Sequence, residues 1–421
     1  MIRKFLIAAL AMMALQVYGQ NSTLSPYSYF GIGEMRAGGT IENQLMGRMS
    51  MYTDSVHLNF NNPAAYGKLK LTTYAVGVGL KQVKLENGTE SQNASVSALE
   101  YLALGFPISP KIGVGLGIMP FSSVGYNLRS ESINTNGNTV TNIFTGEGGL
   151  NQVHFTLGIN PIKNVYLGAT VNYNFGNLEN QRIQSVENVQ FGTLDRRTQR
   201  VKGYDFNYGL TYTPKVSPKH TLFTSLTVDT QANLGAENSQ RIGSFAQLSG
   251  REIETIDVDL GAQGLLRTDV KVPTITTVGL GFGEDKKWFL GGEYSFQQLS
   301  SFSNEFIATE NLGYQDASTI RFGGFFVPDY SSFSGYIKRI TYRAGVRFAK
   351  TGMLVNNQEI DDFGITFGFG LPLGNSFSNA NLGLEYGKTG TTSANLVQEN
   401  YFKVIIGLSL NDRWFQKRKI N

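Results

Sequence analysis

The chain contains no cysteine, which excludes thiolate metal sites, disulfide bonds and a lipid-anchored cysteine. Charge is also scarce, because only 16% of the 421 residues are charged and the formal net charge is +4. No basic cluster alternates with aromatic residues, so we expect no nucleic-acid binding. Beyond the N-terminus there is no apolar run of about 18 residues, and no transmembrane helix is predicted.

Two residue classes are abundant instead. Glycine occurs 49 times, well above the usual content of roughly 7%. Aromatic residues make up 12% of the chain although its mean hydropathy is only −0.16. Glycine and aromatic residues in alternating segments are typical of β-barrels.

The N-terminus has the pattern of a secretory signal peptide. Arg3 and Lys4 form a positive region, residues 5–15 form a short apolar region, and Gly19 ends a plausible cleavage site. A membrane anchor is the alternative, but the apolar run is too short to span a bilayer and a polar sequence follows it. We therefore predict that residues 1–19 are a signal peptide and that the protein is exported.

From Leu71 onward, segments of about ten residues alternate between apolar residues and small or polar ones. Short connections, such as residues 109–111 and 283–286, alternate along the chain with long polar connections, such as residues 129–147 and 180–197. Transmembrane barrels place short turns on the periplasmic side and long loops outside. The pattern predicts about 14 antiparallel strands over residues 69–411, and a short periplasmic tail over 412–421. Residues 231–267 leave room for an additional hairpin.

The two faces of these segments differ in polarity. Tyr204, Phe206 and Tyr208 share one face, while Asp205 and Asn207 share the other. A soluble sandwich would bury the apolar face, whereas a membrane barrel turns it to lipid. Lipid favours an uncharged outer face, because an arginine at the bilayer midplane costs about 2–4 kcal/mol. We therefore predict a transmembrane β-barrel in the outer membrane of a Gram-negative bacterium, with lipid as a partner.

Residues 20–68 precede the first strand and show no period. They include Tyr27, Phe30, Met46 and Leu58, and are too apolar for a solvated linker, which favours a plug in the barrel lumen over a periplasmic tail. The stretch "RAGGTIENQLMGRMSMYTDSVHLNFNNPAAYGKL", residues 36–69, is similar to the N-terminal hatch of FadL-like outer-membrane transporters. The matching positions are Asp54 and the motif Asn62, Pro63 and Ala64. The stretch "LSPYSYFGIGE", residues 24–34, further resembles FadL-like proteins of Bacteroidota.

The resemblance implies a monomeric barrel, closed by an N-terminal hatch, that passes hydrophobic small molecules such as fatty acids across the outer membrane. An alternative remains, because FadL-like barrels also serve as non-transporting subunits of outer-membrane assembly or secretion complexes. The expected partner is a hydrophobic ligand in the first case and other outer-membrane proteins in the second.

Alternation places a set of charged residues on the lumenal face, as candidates for binding a ligand or the hatch. The set comprises Arg321, Arg339, Arg343, Arg347, Glu293, Glu385 and Asp205. They could form a cationic wall that meets a carboxylate, or ion pairs that brace the barrel and hold the hatch.

No catalytic or metal-binding pattern accompanies these charges. His57, His154 and His220 are scattered, and no nucleophile elbow or phosphate-binding loop is present. We therefore expect neither enzymatic activity nor a cofactor nor a metal site.

Overall fold

The computed structural model describes residues 23–36, 38–307, 312–374 and 377–413. The predicted signal peptide and most of the predicted tail lie outside these residues. We number the barrel strands β1 to β14, and some of them consist of more than one segment. They are β1 Thr72–Asn87, β2 Glu90–Ser109, β3 Ile112–Ile133, β4 Thr139–Ile162, β5 Val165–Val186, β6 Phe191–Tyr212, β7 His220–Asp229 and Ala232–Ala246, β8 Glu252–Asp257, Arg267–Val272 and Ile275–Glu284, β9 Trp288–Gln297 and Ser303–Asn304, β10 Leu312–Tyr314 and Ala317–Phe326, β11 Thr341–Val355, β12 Gln358–Pro372, β13 Asn379–Thr389 and β14 Gln398–Asp412.

The sheet closes on itself. Each strand pairs antiparallel with the next along the chain, and β1 pairs with β14 from Thr72 opposite Asp412 to Glu86 opposite Gln398. The prediction of a closed 14-stranded antiparallel barrel is confirmed. The 231–267 region adds no barrel strand, because its hairpin extends β7 and β8.

The outer face is apolar only over part of the barrel height. On β6, Tyr204 and Tyr208 are 61% and 50% exposed, whereas Asp205 and Asn207 are buried on the inner face. Farther along the same strand the polarity is reversed without a change of register: Lys202 points outward and Val201 is buried inside. The reversal marks the level at which lipid gives way to water, since an outward lysine avoids hydrocarbon.

The expected long polar loops are largely absent, because strands continue through them. Residues 129–133 pair with 139–143 across a five-residue turn, and residues 144–147 continue the pairing with 125–128. Residues 180–186 and 191–197 pair with neighbouring strands. These extensions lie above the apolar belt and are wetted on their outer face, so they lack the alternation that marks a membrane strand. We call this end of the barrel the hairpin end.

The opposite end, the short-turn end, also departs from expectation. The connection from β10 to β11 spans residues 327–340 and contains the helix Tyr336–Arg339. Arg339, predicted to lie on the lumenal face of a strand, belongs to this helix and has its guanidinium 5.6 Å from the centroid of the Tyr336 ring. The sequence analysis placed Arg339 in the strand because Arg339 and Ile340 continue the polar and apolar alternation of β11, which begins only at Thr341.

The N-terminal segment, which we define as residues 23–71, lies against the inner face of the barrel. It contains the helix Ile41–Gln44, the 3-10 helices Pro26–Tyr29 and Pro63–Lys68, and a two-residue strand, Glu34–Met35. The remaining 3-10 helices are Leu299–Ser301 and Ser393–Asn395. The first strand begins at Thr72, three residues after the predicted start. None of the described helices is long and apolar enough to cross a membrane.

Candidate functional site

A girdle of glycines makes room for the N-terminal segment. A Cβ placed on Gly345 would lie 2.1 Å from the nitrogen of Gly47, and one on Gly113 would lie 2.0 Å from the carbonyl oxygen of Tyr66. Only glycine permits such an approach of backbone to backbone. Equivalent glycines, each with its ideal Cβ less than 3.0 Å from an atom of the N-terminal segment, come from β2 to β6 and β8 to β14: Gly105, Gly113, Gly115, Gly158, Gly168, Gly209, Gly279, Gly291, Gly323, Gly345, Gly368, Gly383 and Gly407.

The predicted charges on β11 and β13 meet at a residue of the N-terminal segment. Glu385 lies 3.1 Å from both Arg48 and Arg347, and its side chain is fully buried. Arg347 also contacts Asp362 at 2.7 Å and donates to the hydroxyl of Tyr401 at 3.0 Å. The cluster fastens the N-terminal segment to four strands, β11 to β14, and leaving one of its charges unpaired would be costly.

Glu293 forms a second attachment. Its carboxylate accepts hydrogen bonds from the backbone nitrogens of Ser50 at 2.8 Å and Met51 at 2.5 Å. The neighbouring strand places Arg321 opposite Glu293, and Arg321 donates to Ser295 at 2.5 Å. Glu293 is therefore occupied by the N-terminal segment instead of facing an open lumen.

Arg343 and Asp54 belong to a third group of contacts. Nδ1 of His57 lies 2.5 Å from Asp54 and Nε2 lies 3.8 Å from Glu42. Asn381 donates to Glu42 at 2.9 Å and accepts from Arg343 at 3.1 Å. The group links β11 and β13 to the N-terminal segment through alternating charges and amides.

The pKa values of His57 and Asp54 reflect their pairing. Burial by itself would lower the pKa of His57, but the carboxylates of Asp54 and Glu42 raise it above the usual value. Burial would raise the pKa of Asp54, but the His57 imidazolium and hydrogen bonds from the ring and from the backbone of Val56 and His57 lower it. The pairing therefore favours the charged form of both residues.

The Asn-Pro-Ala motif starts a 3-10 helix. The Asn62 side chain caps it by accepting from the nitrogen of Ala64 at 3.2 Å, and Pro63 occupies the first turn, where no backbone donor is needed. Asn62 also donates to Thr211 on β6 at 3.0 Å. The motif thus shapes the segment and attaches it to the wall.

Asp205 lies apart from the other predicted charges, on the inner face of β6. It accepts hydrogen bonds from Asn172, at 2.6 Å, and from Asn174. The structure therefore brings together Arg321, Arg343, Arg347, Glu293 and Glu385 with residues 42–57, and separates Asp205 and Arg339 from them.

The wall has a gap between β2 and β3. These strands pair only from Leu102 opposite Ile118 to their shared turn, and over the rest of their described length they are not paired with each other. The strand Glu34–Met35 pairs instead with Ser122 and Ser123 of β3, on the edge that β2 leaves free. A cavity of about 380 Å³ extends inward from this gap, with Met35, Leu99 and Met119 among its lining residues.

The cavity lining is mixed. Apolar side chains such as Phe30 and Phe302 line part of it, and charged ones such as Arg48, Lys81 and Glu399 line the rest. Lys81 lies 3.8 Å from Glu399, which also accepts from Ser25. The cavity can therefore hold water or an amphipathic molecule, but it is not a uniformly apolar path.

Above the lipid belt an apolar cluster fills the space inside β3 to β8. Ile32 of the N-terminal segment packs there with inward residues of the wall, among them Val124, Leu150, Leu178 and Leu234. This part of the barrel has the polarity of a soluble protein, with its apolar residues inside.

Sequence reasoning missed several members of the site. Lys403 pairs with Glu100 at 2.9 Å. Lys403 could have been assigned to the inner face from its alternation with the outward residues of β14, whereas Glu100 lies at a bulge of β2 that interrupts the alternation. Arg48 and Glu42 gave no such signal, because the N-terminal segment has no period from which a side-chain direction can be read.

The fold resembles solved outer-membrane channels. The Pseudomonas putida toluene transporter TodX is 14% identical with a TM-score of 0.60, covering 90% of this chain and 100% of that one. The Ralstonia pickettii toluene transporter TbuX is 14% identical with a TM-score of 0.59, covering 89% and 98%. A FadL homologue of Pseudomonas aeruginosa is 13% identical with a TM-score of 0.58, covering 91% and 100%. The FadL-like barrel fold is thereby confirmed, whereas the Bacteroidota origin stays a prediction.

No curated protein sequence matches the chain. A family model described as BamG matches residues 1–421, the whole sequence. The chain is an outer-membrane-type barrel protein with the fold of hydrophobic-compound channels, and it belongs to the BamG family.

Proposed function

We propose that this protein is a non-transporting barrel subunit of an outer-membrane protein assembly, in which residues 20–68 act as a permanent hatch. The observation that carries the proposal is the attachment of the N-terminal segment. Arg48 is held by the buried Glu385, and the backbone at Ser50 and Met51 is held by Glu293.

A hatch that opened for a ligand would have to break these contacts. Removing Arg48 from Glu385 would break a buried ion pair and leave Arg347 as the partner of the carboxylate, at a cost of up to about 3–5 kcal/mol. The glycine girdle adds close contacts between the N-terminal segment and glycines of twelve strands, and each contact loses dispersion energy if the segment moves. A barrel closed in this way serves better as a rigid scaffold than as a passage, and the match to the BamG family is compatible with that role.

The experiment is purification of the tagged protein from its native outer membrane in mild detergent. We expect stoichiometric copurification of other outer-membrane proteins, and a fall in the outer-membrane content of unrelated barrels when the protein is depleted. A similarly tagged, unrelated barrel of the same membrane is the control. Isolation as a lone monomer, with unrelated barrels unaffected by depletion, would contradict the proposal.

Passage of hydrophobic small molecules is the second candidate function. It is favoured by the gap between β2 and β3, where the cavity reaches the apolar rim formed by Met35 and Leu99. An apolar solute entering the cavity could leave through this gap into the bilayer without meeting bulk water.

Uptake of a hydrophobic aromatic probe by cells separates the two candidates. If the gap is an exit, Met35→Arg lowers uptake at least several-fold, because the rim then carries a charge. Leu248→Arg, in the turn between β7 and β8 at the hairpin end, is the matched control and leaves uptake unchanged. Equal uptake by wild type, Met35→Arg and cells lacking the protein would exclude transport of that probe.

A further inference from the structure

A group of basic residues lies on the outer face of β6 and β8, directly above the apolar belt. On β6 the outward side chains change from Tyr204 to Lys202 and then to Arg200 without a change of register. The group comprises Arg200 and Lys202 of β6 and Arg267 and Lys271 of β8. Because short turns face the periplasm, the hairpin end faces the outer leaflet, and the group lies at the level of the lipid headgroups of that leaflet.

The strand register places these bases side by side. Arg200 lies opposite Glu237 of β7, and Glu237 lies opposite Arg267 of β8. Lys202 is two residues nearer to the belt on the same face of β6. Neighbouring strands are about 4.8 Å apart, so the Cα atoms of Arg200 and Arg267 are about 10 Å apart. Their long side chains can therefore contact one group that lies between them.

Carboxylates balance these bases only in part. Glu237 lies 3.6 Å from Arg267. Asp269 is the second acid on this face of β6 to β8 at the level of the group. Among the described residues, no carboxylate oxygen lies within 4.0 Å of Arg200 or Lys202. Four bases share this face with two acids, so positive charge is in excess.

A groove of about 420 Å³ lies beside the group. Arg200, Glu237 and Arg267 line it together with Thr198 and Ser239. The last two residues carry hydroxyl groups, which donate hydrogen bonds as the guanidinium groups do. Guanidinium and hydroxyl donors in one groove match the acceptor oxygens of a phosphate group.

Aromatic side chains lie on the belt side of the same group. Phe175 lies opposite Lys202, and the Phe175 ring stacks on that of Tyr173 with a centroid distance of 5.6 Å. The Tyr173 ring also contacts that of Tyr204, at a centroid distance of 5.0 Å. Aromatic residues at the edge of the apolar belt contact lipid. The outer face therefore offers positive charge at headgroup level and apolar contact directly below it.

We propose that this outer face binds a phosphorylated lipid of the outer leaflet, with the phosphate between Arg200, Lys202 and Arg267. The acyl chains lie along the aromatic residues Phe175 and Tyr204. The phosphate supplies the negative charge that the two acids lack, and guanidinium groups bind it through paired hydrogen bonds. The acyl chains stay in the bilayer, so binding needs no passage through the wall. The site is independent of whether the barrel assembles proteins or passes solutes.

Lipid binding is measured by native mass spectrometry of the full chain in detergent, with monophosphorylated lipid A as the probe. We expect the double variant Arg200→Gln/Lys202→Gln to bind this probe at least tenfold more weakly than the wild type. Lys84→Gln is the matched control and binds the probe as the wild type does. Lys84 is also an exposed base, but it already pairs with Glu86 at 2.5 Å.

Two further probes separate a lipid from a free anion. Phosphatidylcholine should bind equally to the wild type and the double variant, because its choline neutralises its phosphate. Inorganic phosphate should not displace lipid A at equal concentration, because it lacks acyl chains.

Equal binding of lipid A by the wild type and the double variant, or no binding by the wild type, overturns the proposal. Displacement of lipid A by inorganic phosphate at equal concentration overturns it as well, and assigns the group to free anions. If the double variant does not fold, Arg200→Gln takes its place and should weaken lipid A binding several-fold.

Discussion

Nη2 of Arg48 lies 3.1 Å from Oε1 of Glu385, and the Glu385 side chain has no exposed surface. One residue belongs to the aperiodic N-terminal segment and the other to the thirteenth strand. Their contact spans 337 positions of the sequence and joins the N-terminal segment to the wall. The buried acid also serves Arg347, so a single carboxylate holds two guanidinium groups.

Glu385→Ala should therefore destabilise the barrel strongly. We expect a loss of about 3–5 kcal/mol, because Arg48 and Arg347 stay buried without their shared counter-ion. Urea unfolding followed by heat-modifiable gel mobility measures the loss. Glu359→Ala is the control, since Glu359 is half exposed and 4.0 Å from Lys350, and it should cost no more than about 1 kcal/mol. Equal effects of the two changes would contradict the role of the buried cluster.

Gly345→Val should displace the N-terminal segment without unfolding the barrel. The new side chain would collide with the backbone at Gly47, which cannot yield as a side-chain tip can. We expect trypsin to cleave after Arg48 or Lys68 at least tenfold faster than in the wild type. Gly235→Val is the matched control, because a Cβ there meets only the carbonyl oxygen of Lys202, at 3.8 Å. Unchanged cleavage in Gly345→Val would show that the wall adapts instead.

The contact of His57 with Asp54 should make the N-terminal segment sensitive to pH. The pKa of His57 is raised on folding, so its contribution is complete below about pH 6.5 and is lost as pH rises through the folded value. The pKa of Asp54 is lowered, so its contribution is present above about pH 4 and is lost as pH falls through the folded value. Amide hydrogen exchange of residues 52–60 should therefore accelerate from pH 6 toward alkaline pH, beyond the intrinsic pH effect.

His57→Gln is the variant that checks this pH dependence. It cannot carry the charge, so the extra acceleration at alkaline pH should vanish while the rest of the barrel exchanges as before. His220→Gln is the control, because His220 lies at the short-turn end with its ring against Phe282. Persistence of the pH dependence in His57→Gln would assign it to another group.

Leu290→Arg should prevent stable insertion, because Leu290 is 64% exposed on the outer face of β9 within the apolar belt. An outward arginine near the bilayer midplane costs about 2–4 kcal/mol. Leu248→Arg makes the same chemical change in the turn between β7 and β8 and should be neutral. Folding yield into lipid vesicles compares the two. Equal yields would mean that lipid does not cover this face of β9.

The strands could be predicted because each membrane strand alternates between apolar outward side chains and small or polar inward ones. The alternation at Tyr204–Tyr212 gave both the strand and its outward face, and the lumenal placement of Arg343, Arg347 and Glu293 follows from the same period. The alternation misplaced Arg339, because the same pattern continues by chance into a short helix. It also failed in residues 129–147, where water on the outer face removes the apolar signal from paired strands.

The sequence by itself determined the strand number of the barrel and the apolar outward faces of its strands, because alternation with a period of two is a local property of each of the fourteen segments. Only the tertiary structure decided what fills it. Arg48 meets Glu385, and the backbone nitrogen of Ser50 meets Glu293, because closure of the sheet around the N-terminal segment brings distant residues together. No local sequence pattern predicts these contacts, because the N-terminal segment has no period and its side chains can point toward any of the fourteen strands.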